Sequence, residues 1–79
     1  MPLNLFTQSV WVEILMNGGI GDPLEGLNND PNFHRCNGWQ KMQYTSRTSN
    51  GESVTFHYQN NLITRRVNDI KIVDYKPPK

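Results

Sequence analysis

The sequence predicts an α+β domain in which a short N-terminal helix packs on an antiparallel β-meander of three or four strands. Three observations support this class: apolar spacing at residues 7–17, closely spaced turn residues at 18–38, and alternation of apolar and polar residues over 39–75. A chain of 79 residues has the size of one domain. We therefore expect a single domain over residues 1–79, with residues 76–79 as a tail.

The first hydrophobic segment is predicted to be a helix. Val10 and Ile14 are spaced one helical turn apart, Thr7 or Ser9 can cap the start, and Gly18 can lie just past the end. Alternating apolar residues in this segment would also suit a strand. The capping residues favour the helix, which is too short to be stable alone and must therefore pack on the sheet.

Residues 18–38 are predicted to form a long loop that runs across the sheet. They contain Gly-Gly-Ile-Gly from position 18 and several Asn, Asp and Pro residues typical of turns. A connection of this length is unusual in a small domain and is usually functional or mobile. The glycine cluster lacks the spacing of a phosphate-binding loop, so a flexible turn is the simpler interpretation.

The first two long strands are joined by a hairpin at the Asn-Gly dipeptide of position 50. A two-residue turn would mix polar and apolar side chains on each face. A three-residue loop over 49–51 instead pairs Tyr44 with Phe56 and Met42 with Tyr58, which keeps the apolar side chains together. We therefore predict the three-residue loop.

The third long strand is predicted from 67 to 75, with Ile70 and Ile72 on the core face and Asp69 and Lys71 on the polar face. The Pro-Pro pair that follows cannot join a ladder, so the end of the chain is expected to fray. The polar face then gathers nine side chains: Lys41, Gln43, Thr45, Arg47, Thr55, His57, Gln59, Asp69 and Lys71.

Composition excludes several kinds of protein. A net charge of +1 excludes nucleic-acid binding by bulk charge alone, although all eight Lys and Arg residues lie within residues 34–79. One cysteine excludes an internal disulfide framework. We expect neither a transmembrane segment nor a signal peptide, because no apolar run is long enough and the N-terminus lacks the required pattern.

His57 is the candidate catalytic residue. An imidazole flanked by cations suits RNA cleavage without metal, because it can take the proton of a 2′-hydroxyl while Lys or Arg stabilises charge on the phosphate. A neighbouring cation also keeps the imidazole neutral at pH 7. Thr64, Arg65 and Arg66 can add phosphate contacts, and His34 can supply a second protonatable group.

The histidines allow two other interpretations. Taken alone, His57 fits an ordinary, half-exposed strand residue better than a catalytic one, because a lone histidine is weak evidence. His34 and Cys36 have a spacing that is not typical of a zinc site, and no Cys-x-x-Cys pair accompanies them. We therefore predict no metal and no small-molecule cofactor.

The second half of the chain also carries a set of short motifs. It consists of Gly38-Trp39-Gln40-Lys41-Met42, Phe56-His57-Tyr58, Asn61, Thr64 and Asp69-Ile70-Lys71-Ile72. Residues 38–72 thereby resemble the C-terminal toxin domains of bacterial polymorphic toxins, of the contact-dependent inhibition and Rhs types. The chain departs from the family pattern at Arg65, where a turn glycine is usual, and in having Ile rather than Phe at positions 70 and 72.

The resemblance implies a small ribonuclease of the barnase, colicin or RelE type, with helices on one face of an antiparallel sheet and catalytic groups on the other. It implies a toxin that cleaves tRNA or rRNA, is neutralised by a cognate immunity protein, and is secreted or delivered to the cytoplasm of a target cell. The catalytic candidates are His57, Lys41, Thr64 and Lys71, and the substrate-binding candidates are Gln43, Arg47, Arg65, Arg66 and His34.

Two further functions remain open. The same basic face can hold RNA without cleaving it, as a non-catalytic binding module does. Alternatively, the chain is a cytoplasmic antitoxin, immunity or phage protein that acts through protein contacts alone.

Overall fold

The computed structural model describes residues 3–24 and 37–79, and within them it contains one α-helix and a four-stranded antiparallel sheet. The strands lie in the order β1-β2-β3-β4. The elements are α1 (Leu5–Met16), a 3-10 turn (Gly18–Ile20), β1 (Asp22–Pro23), β2 (Trp39–Arg47), β3 (Ser53–Asn61) and β4 (Val67–Lys76). The predicted α+β class, one helix with a small antiparallel sheet, is confirmed.

Helix α1 begins two residues earlier than the sequence predicted, because Asn4 caps it rather than Thr7 or Ser9. The side-chain oxygen of Asn4 accepts from the backbone N–H of Thr7, and the Thr7 hydroxyl accepts from the backbone N–H of Asn4, both at 2.9 Å. This reciprocal capping box satisfies two N–H groups that have no partner within the helix. Val10 and Ile14, one turn apart, are buried on the sheet side as expected.

The pairing of β2 with β3 is the one predicted from the buried face. Tyr44 lies opposite Phe56 and Met42 opposite Tyr58, within an unbroken ladder that runs from Trp39–Asn61 to Arg47–Ser53. The loop at 49–51 has three residues, and its last residue is the left-handed Gly51 of the hairpin, with φ of +91°. A residue with a side chain would be strained in that conformation.

Strand β4 departs from the alternation expected of it. Its ladder with β3 is irregular at two places, between the partners of Thr55 and Phe56 and between those of His57 and Gln59. Asp69 lies in the second irregularity with a φ of +54°. As a result, the core-facing residues are spaced unevenly along the strand: Val67, Ile70, Ile72 and Tyr75.

The ends of the sheet extend beyond the predicted limits. Residues Asp22–Pro23, inside the expected loop, form the short strand β1 on the edge of β2, with Asp22 opposite Gln43. At the other edge, the ladder continues to Lys76, which lies opposite Ser53. A further hydrogen bond joins the backbone N–H of Lys79 to the carbonyl of Asn50.

The buried hydroxyl of Tyr58 holds the glycine-rich turn that connects α1 to β1. It donates to the Gly18 carbonyl at 2.6 Å and accepts from the Gly21 N–H at 3.1 Å. Burial is the main cause that raises the pKa of this phenol. A Cβ at Gly21 would lie 2.7 Å from both the Gln43 carbonyl oxygen and the Tyr58 hydroxyl. The glycine therefore permits close contact of backbone and sheet.

We expect Tyr58→Phe to lower the free energy of unfolding by about 1–3 kcal/mol, because the Gly18 carbonyl and the Gly21 N–H lose a buried partner. Urea denaturation measures this loss. Tyr44→Phe is the matched control, since the Tyr44 hydroxyl makes a 3.5 Å contact with Glu13 at the surface. That change should cost less than about 0.5 kcal/mol, and equal losses in the two variants would contradict the bridging role of Tyr58.

Gly21→Ala should destabilise the protein by about 1–3 kcal/mol, because the new methyl group has no room against backbone and must displace it. Gly19→Ala is the control, since its Cβ would have Asn17 Oδ1 as the nearest atom, at an ordinary distance of 3.6 Å. Thermal unfolding of both variants tests this difference. A Gly21→Ala protein as stable as Gly19→Ala would show that the turn is not closely packed.

Candidate functional site

The candidate site lies on the sheet face opposite the core. Met42 and Tyr44 of β2 and Phe56 and Tyr58 of β3 belong to the core or pack against it. Since side chains alternate along a strand, their neighbours project from the other face. His57 stands there at the middle of β3, between strands that pair with it on both sides.

Gln43 lies directly across from His57, which is the pair that the predicted register of Tyr44 with Phe56 implies. The His57 Nε2 atom and the Gln43 Oε1 atom are 2.8 Å apart. An amide oxygen only accepts hydrogen bonds, so Nε2 carries the proton that forms this bond. In the neutral ring, Nδ1 is consequently the nitrogen that can take up a proton.

The environment of His57 lowers the pKa of its imidazole below the ordinary value of 6.5. Partial burial is the largest cause, followed by the charges of Lys41 and then Lys71. Both effects disfavour the imidazolium form. The ring is therefore mainly neutral at pH 7, which is the form that a general base requires.

Lys71 reaches this position because of the irregularity in β4. It lies opposite His57, while Asn68, three residues earlier, lies opposite Gln59. Residues three apart share a face only where an extra residue bulges out, and such bulges commonly re-aim side chains near functional sites. The ammonium group of Lys71 is 3.5 Å from the carboxylate of Asp69, and both side chains are largely exposed to solvent. An exposed pair of this kind contributes little stability.

The polar face continues from His57 toward the hairpin. Thr45 and Thr55 lie opposite each other, with their hydroxyl oxygens 2.8 Å apart. Arg47 follows at the exposed end of β2. Arg47 is four residues from Gln43, a distance of about 13 Å along a strand, so it lies near the hairpin and not beside the imidazole.

The remaining predicted residues are separate from this cluster. Thr64, Arg65 and Arg66 are exposed in the turn between β3 and β4. His57 precedes the last residue of β3, Asn61, by four positions, or about 13 Å. His34 lies outside the described residues, as does Cys36. The structure therefore brings together His57, Gln43, Lys41 and Lys71 of the predicted site, and it places the β3–β4 turn at the opposite end of the sheet from Arg47.

Asn61 organises that turn, which the sequence reasoning did not anticipate. Its side-chain oxygen accepts from the backbone N–H groups of Ile63 and Thr64, both at 2.9 Å. Its amide nitrogen donates to the carbonyl of Asn37 at 3.0 Å. An Asn that begins a turn often bonds to backbone two or three residues ahead, so this signal was available in the sequence.

Two charged residues of the polar face were also missed. Asp74 lies opposite Thr55, and Lys76 lies opposite Ser53. Strict alternation from Ile72 assigns both of them to the core face, and the Pro-Pro pair pointed to a tail. The aromatic Tyr75, three residues after Ile72, was the available indication that a bulge shifts the strand.

Within residues 3–24 and 37–79, no three His, Cys, Asp or Glu side chains lie close enough together to hold a metal ion. The helix in the same ranges is too short to cross a membrane. No protein-family model matches the chain, and no curated protein or solved structure is similar to it.

NMR titration of the histidine signals should give a pKa below 6.5 for His57. Lys41→Gln and Lys71→Gln should each raise it toward 6.5, because each removes a charge that opposes protonation. The signal is assigned with His34→Gln, since the chain has two histidines. A pKa unmoved by both substitutions would show that the lysines do not act on the imidazole.

The same lowered pKa makes stability depend on pH. The unfolded chain takes up a proton at His57 near pH 6.5, before the folded protein does. Stability is therefore greatest above that pH and falls as the pH decreases through 6.5 toward the folded pKa. His57→Gln should remove this part of the dependence in denaturation experiments between pH 8 and pH 5.

Proposed function

We propose that this protein is a ribonuclease that cleaves a phosphodiester bond by metal-independent acid–base chemistry on the polar face of the sheet. The observation that carries the proposal is the position of His57. Its imidazole is held by Gln43 at 2.8 Å and has a pKa lowered first by partial burial and then by the charges of Lys41 and Lys71. A neutral base between two cations matches the needs of RNA cleavage.

In this mechanism, His57 Nδ1 takes the proton from the ribose 2′-hydroxyl. The 2′-oxygen then forms a bond to phosphorus as the bond from phosphorus to the 5′-oxygen breaks. The 5′-oxygen leaves with a proton from water, and the hydroxide that remains takes the proton from His57, which restores the neutral base. The products are a 2′,3′-cyclic phosphate and a 5′-hydroxyl. No oxidant, reductant or cofactor takes part.

Lys41 and Lys71 have two effects on this reaction. Before it starts, their charges add to the larger effect of burial and favour the neutral imidazole, which can accept a proton. As the proton moves and negative charge develops on the phosphate oxygens, the same ammonium groups stabilise that charge. Gln43 positions the ring, because its bond to Nε2 selects the tautomer in which Nδ1 carries no proton. Nδ1 is then the atom that accepts the proton of the substrate.

The biological setting that we propose is a bacterial toxin domain with a cognate immunity protein and with tRNA or rRNA as substrate. Two things support it: the resemblance of residues 38–72 to polymorphic toxins, and a helix packed on one face of the sheet with polar groups on the other. A barnase, colicin or RelE type of architecture is part of the same proposal. Expression should then be toxic to bacteria and harmless when the immunity protein is present.

Incubation with total tRNA in the presence of EDTA tests the activity. We expect cleavage that His57→Ala reduces by at least about 100-fold, because general base catalysis contributes about 10²–10⁴-fold. Leu5→Ala is the control, since Leu5 is 85% exposed on the helix, outside the proposed site. Cleavage by the wild-type protein should yield ends with a cyclic phosphate.

Other results would contradict the enzyme proposal in distinct ways. Cleavage that survives His57→Ala would assign the chemistry to other residues. Intact RNA with a mobility shift that weakens with salt would identify a binding module that does not cleave. Absence of any effect on RNA would leave a protein that acts through protein contacts.

A further inference from the structure

A groove of about 250 Å³ lies on the same face as His57, toward the hairpin. Its lining includes Thr45, Thr55, Asp74 and three cationic residues, Arg47, Lys76 and Lys79. The hydroxyl oxygens of the two threonines are 2.8 Å apart. The groove therefore combines adjacent hydroxyl groups with three long cationic side chains.

The cations of the groove have no carboxylate partner among the described residues. The ion pair found in that part of the chain joins Lys71 to Asp69, and Arg47 and Lys76 form none. Guanidinium, ammonium and hydroxyl groups are the donors that proteins use to bind phosphate oxygens. The chemistry of the groove thus favours an anion of the phosphate-ester type.

The size of the groove limits what it can hold. Pockets for drug-sized ligands enclose about 300–1,000 Å³, and this groove is smaller at about 250 Å³. It suits a phosphate or sugar phosphate, and a longer ligand would have to extend past it over the sheet. Thr55 is two residues from His57 on the same face, or about 7 Å along the strand. A chain lying along β3 would reach both places.

We propose that this groove is a second phosphate subsite, which binds the phosphate of the nucleotide next to the one cut at His57. Its role in RNA positioning rests on the proposed ribonuclease function, whereas its affinity for phosphate does not. Asp74 opposes the anion, because its carboxylate lines the same groove. The affinity is consequently set by three attractive charges, from Arg47, Lys76 and Lys79, and one repulsive charge.

Titrations followed by amide NMR, with inorganic phosphate and with a short 2′-deoxy oligonucleotide that cannot be cleaved, test the subsite. Both ligands should shift the signals of Thr45, Thr55 and Asp74. A variant with Arg47→Gln and Lys76→Gln should bind each ligand at least about tenfold more weakly, because charge-assisted hydrogen bonds are lost. Asp74→Asn should bind about two- to fivefold more tightly, since a repulsive charge is removed.

Arg66→Gln is the control for a distant cation, because it removes a positive charge at the far end of the sheet. It should change the affinity for inorganic phosphate less than twofold, roughly the effect of a distant exposed charge. The proposal is overturned if Arg66→Gln weakens binding as much as the double variant, if Asp74→Asn does not tighten it, or if the ligands shift other signals instead. A gain of affinity in Asp74→Asn cannot result from misfolding.

The two proposals can fail separately. If the groove binds phosphate as expected but RNA is never cleaved, the ribonuclease proposal fails and the anion site is supported. If RNA is cleaved and the double variant has an unchanged KM for oligonucleotides, the subsite fails and the ribonuclease is supported. The expected result is a KM raised about tenfold for oligonucleotides, with cleavage of a dinucleotide unchanged.

Discussion

The pairing of β2 with β3 is the constraint on which the rest of this structure depends. Side chains alternate between the two faces of a strand, so a shift of one residue would exchange the core for the polar face along the whole hairpin. In the observed ladder, Phe56 and Tyr58 point toward α1, and His57 between them points away. One register therefore determines which residues form the core, the surface on which α1 packs and the surroundings of the imidazole.

The core face of the sheet supplies hydrogen bonds to the helix in addition to burying apolar area. Tyr58 places a hydroxyl at the boundary between the sheet and the turn after α1, where it bonds to Gly18 and Gly21. At the other end of the helix, the amide of Asn4 donates to the Tyr75 hydroxyl at 3.1 Å, and that hydroxyl donates to Glu52 at 2.6 Å. Both ends of α1 are thus tied to the sheet by tyrosine hydroxyls, which limits how the helix can shift on a small core.

The polar face of the sheet carries several like charges close together, and their repulsion does not favour folding. Lys41 and Lys71 both oppose protonation of a partly buried histidine, and Arg47, Lys76 and Lys79 line one groove. Like charges on one face reduce stability through repulsion, and proteins commonly keep such arrangements at functional sites. Asp69 and Asp74 reduce the positive potential of this face. Asp69 is the partner of Lys71, and Asp74 lies within the groove. The same face can therefore bind an anion and hold a neutral base.

The sequence by itself determined the fold class, the helix, the three-residue hairpin loop and the partnership of Gln43 with His57. These follow from local turn chemistry and from the two-residue period of a half-buried strand, and both are visible in the amino-acid sequence. Thus the side of the candidate site that β2 forms, with Gln43 and Lys41 beside the imidazole, was predictable. Lys71 lies opposite His57 only because of the bulge in β4. The exposure of the β3–β4 turn was also predictable, although not its distance from His57.

Only the tertiary structure decided the cap at Asn4, the edge strand Asp22–Pro23, the glycine contacts with Tyr58 and the bulges of β4. Except for the cap, whose partner Thr7 is three residues away, each depends on a partner distant in sequence. The bulges are the clearest case, because they let Ile72 and Tyr75 both reach the core although they are an odd number of residues apart. That shift carries Asp74 to the polar face, where strict alternation could not place it. Long-range packing selects such irregularities, and the period of one strand does not contain that information.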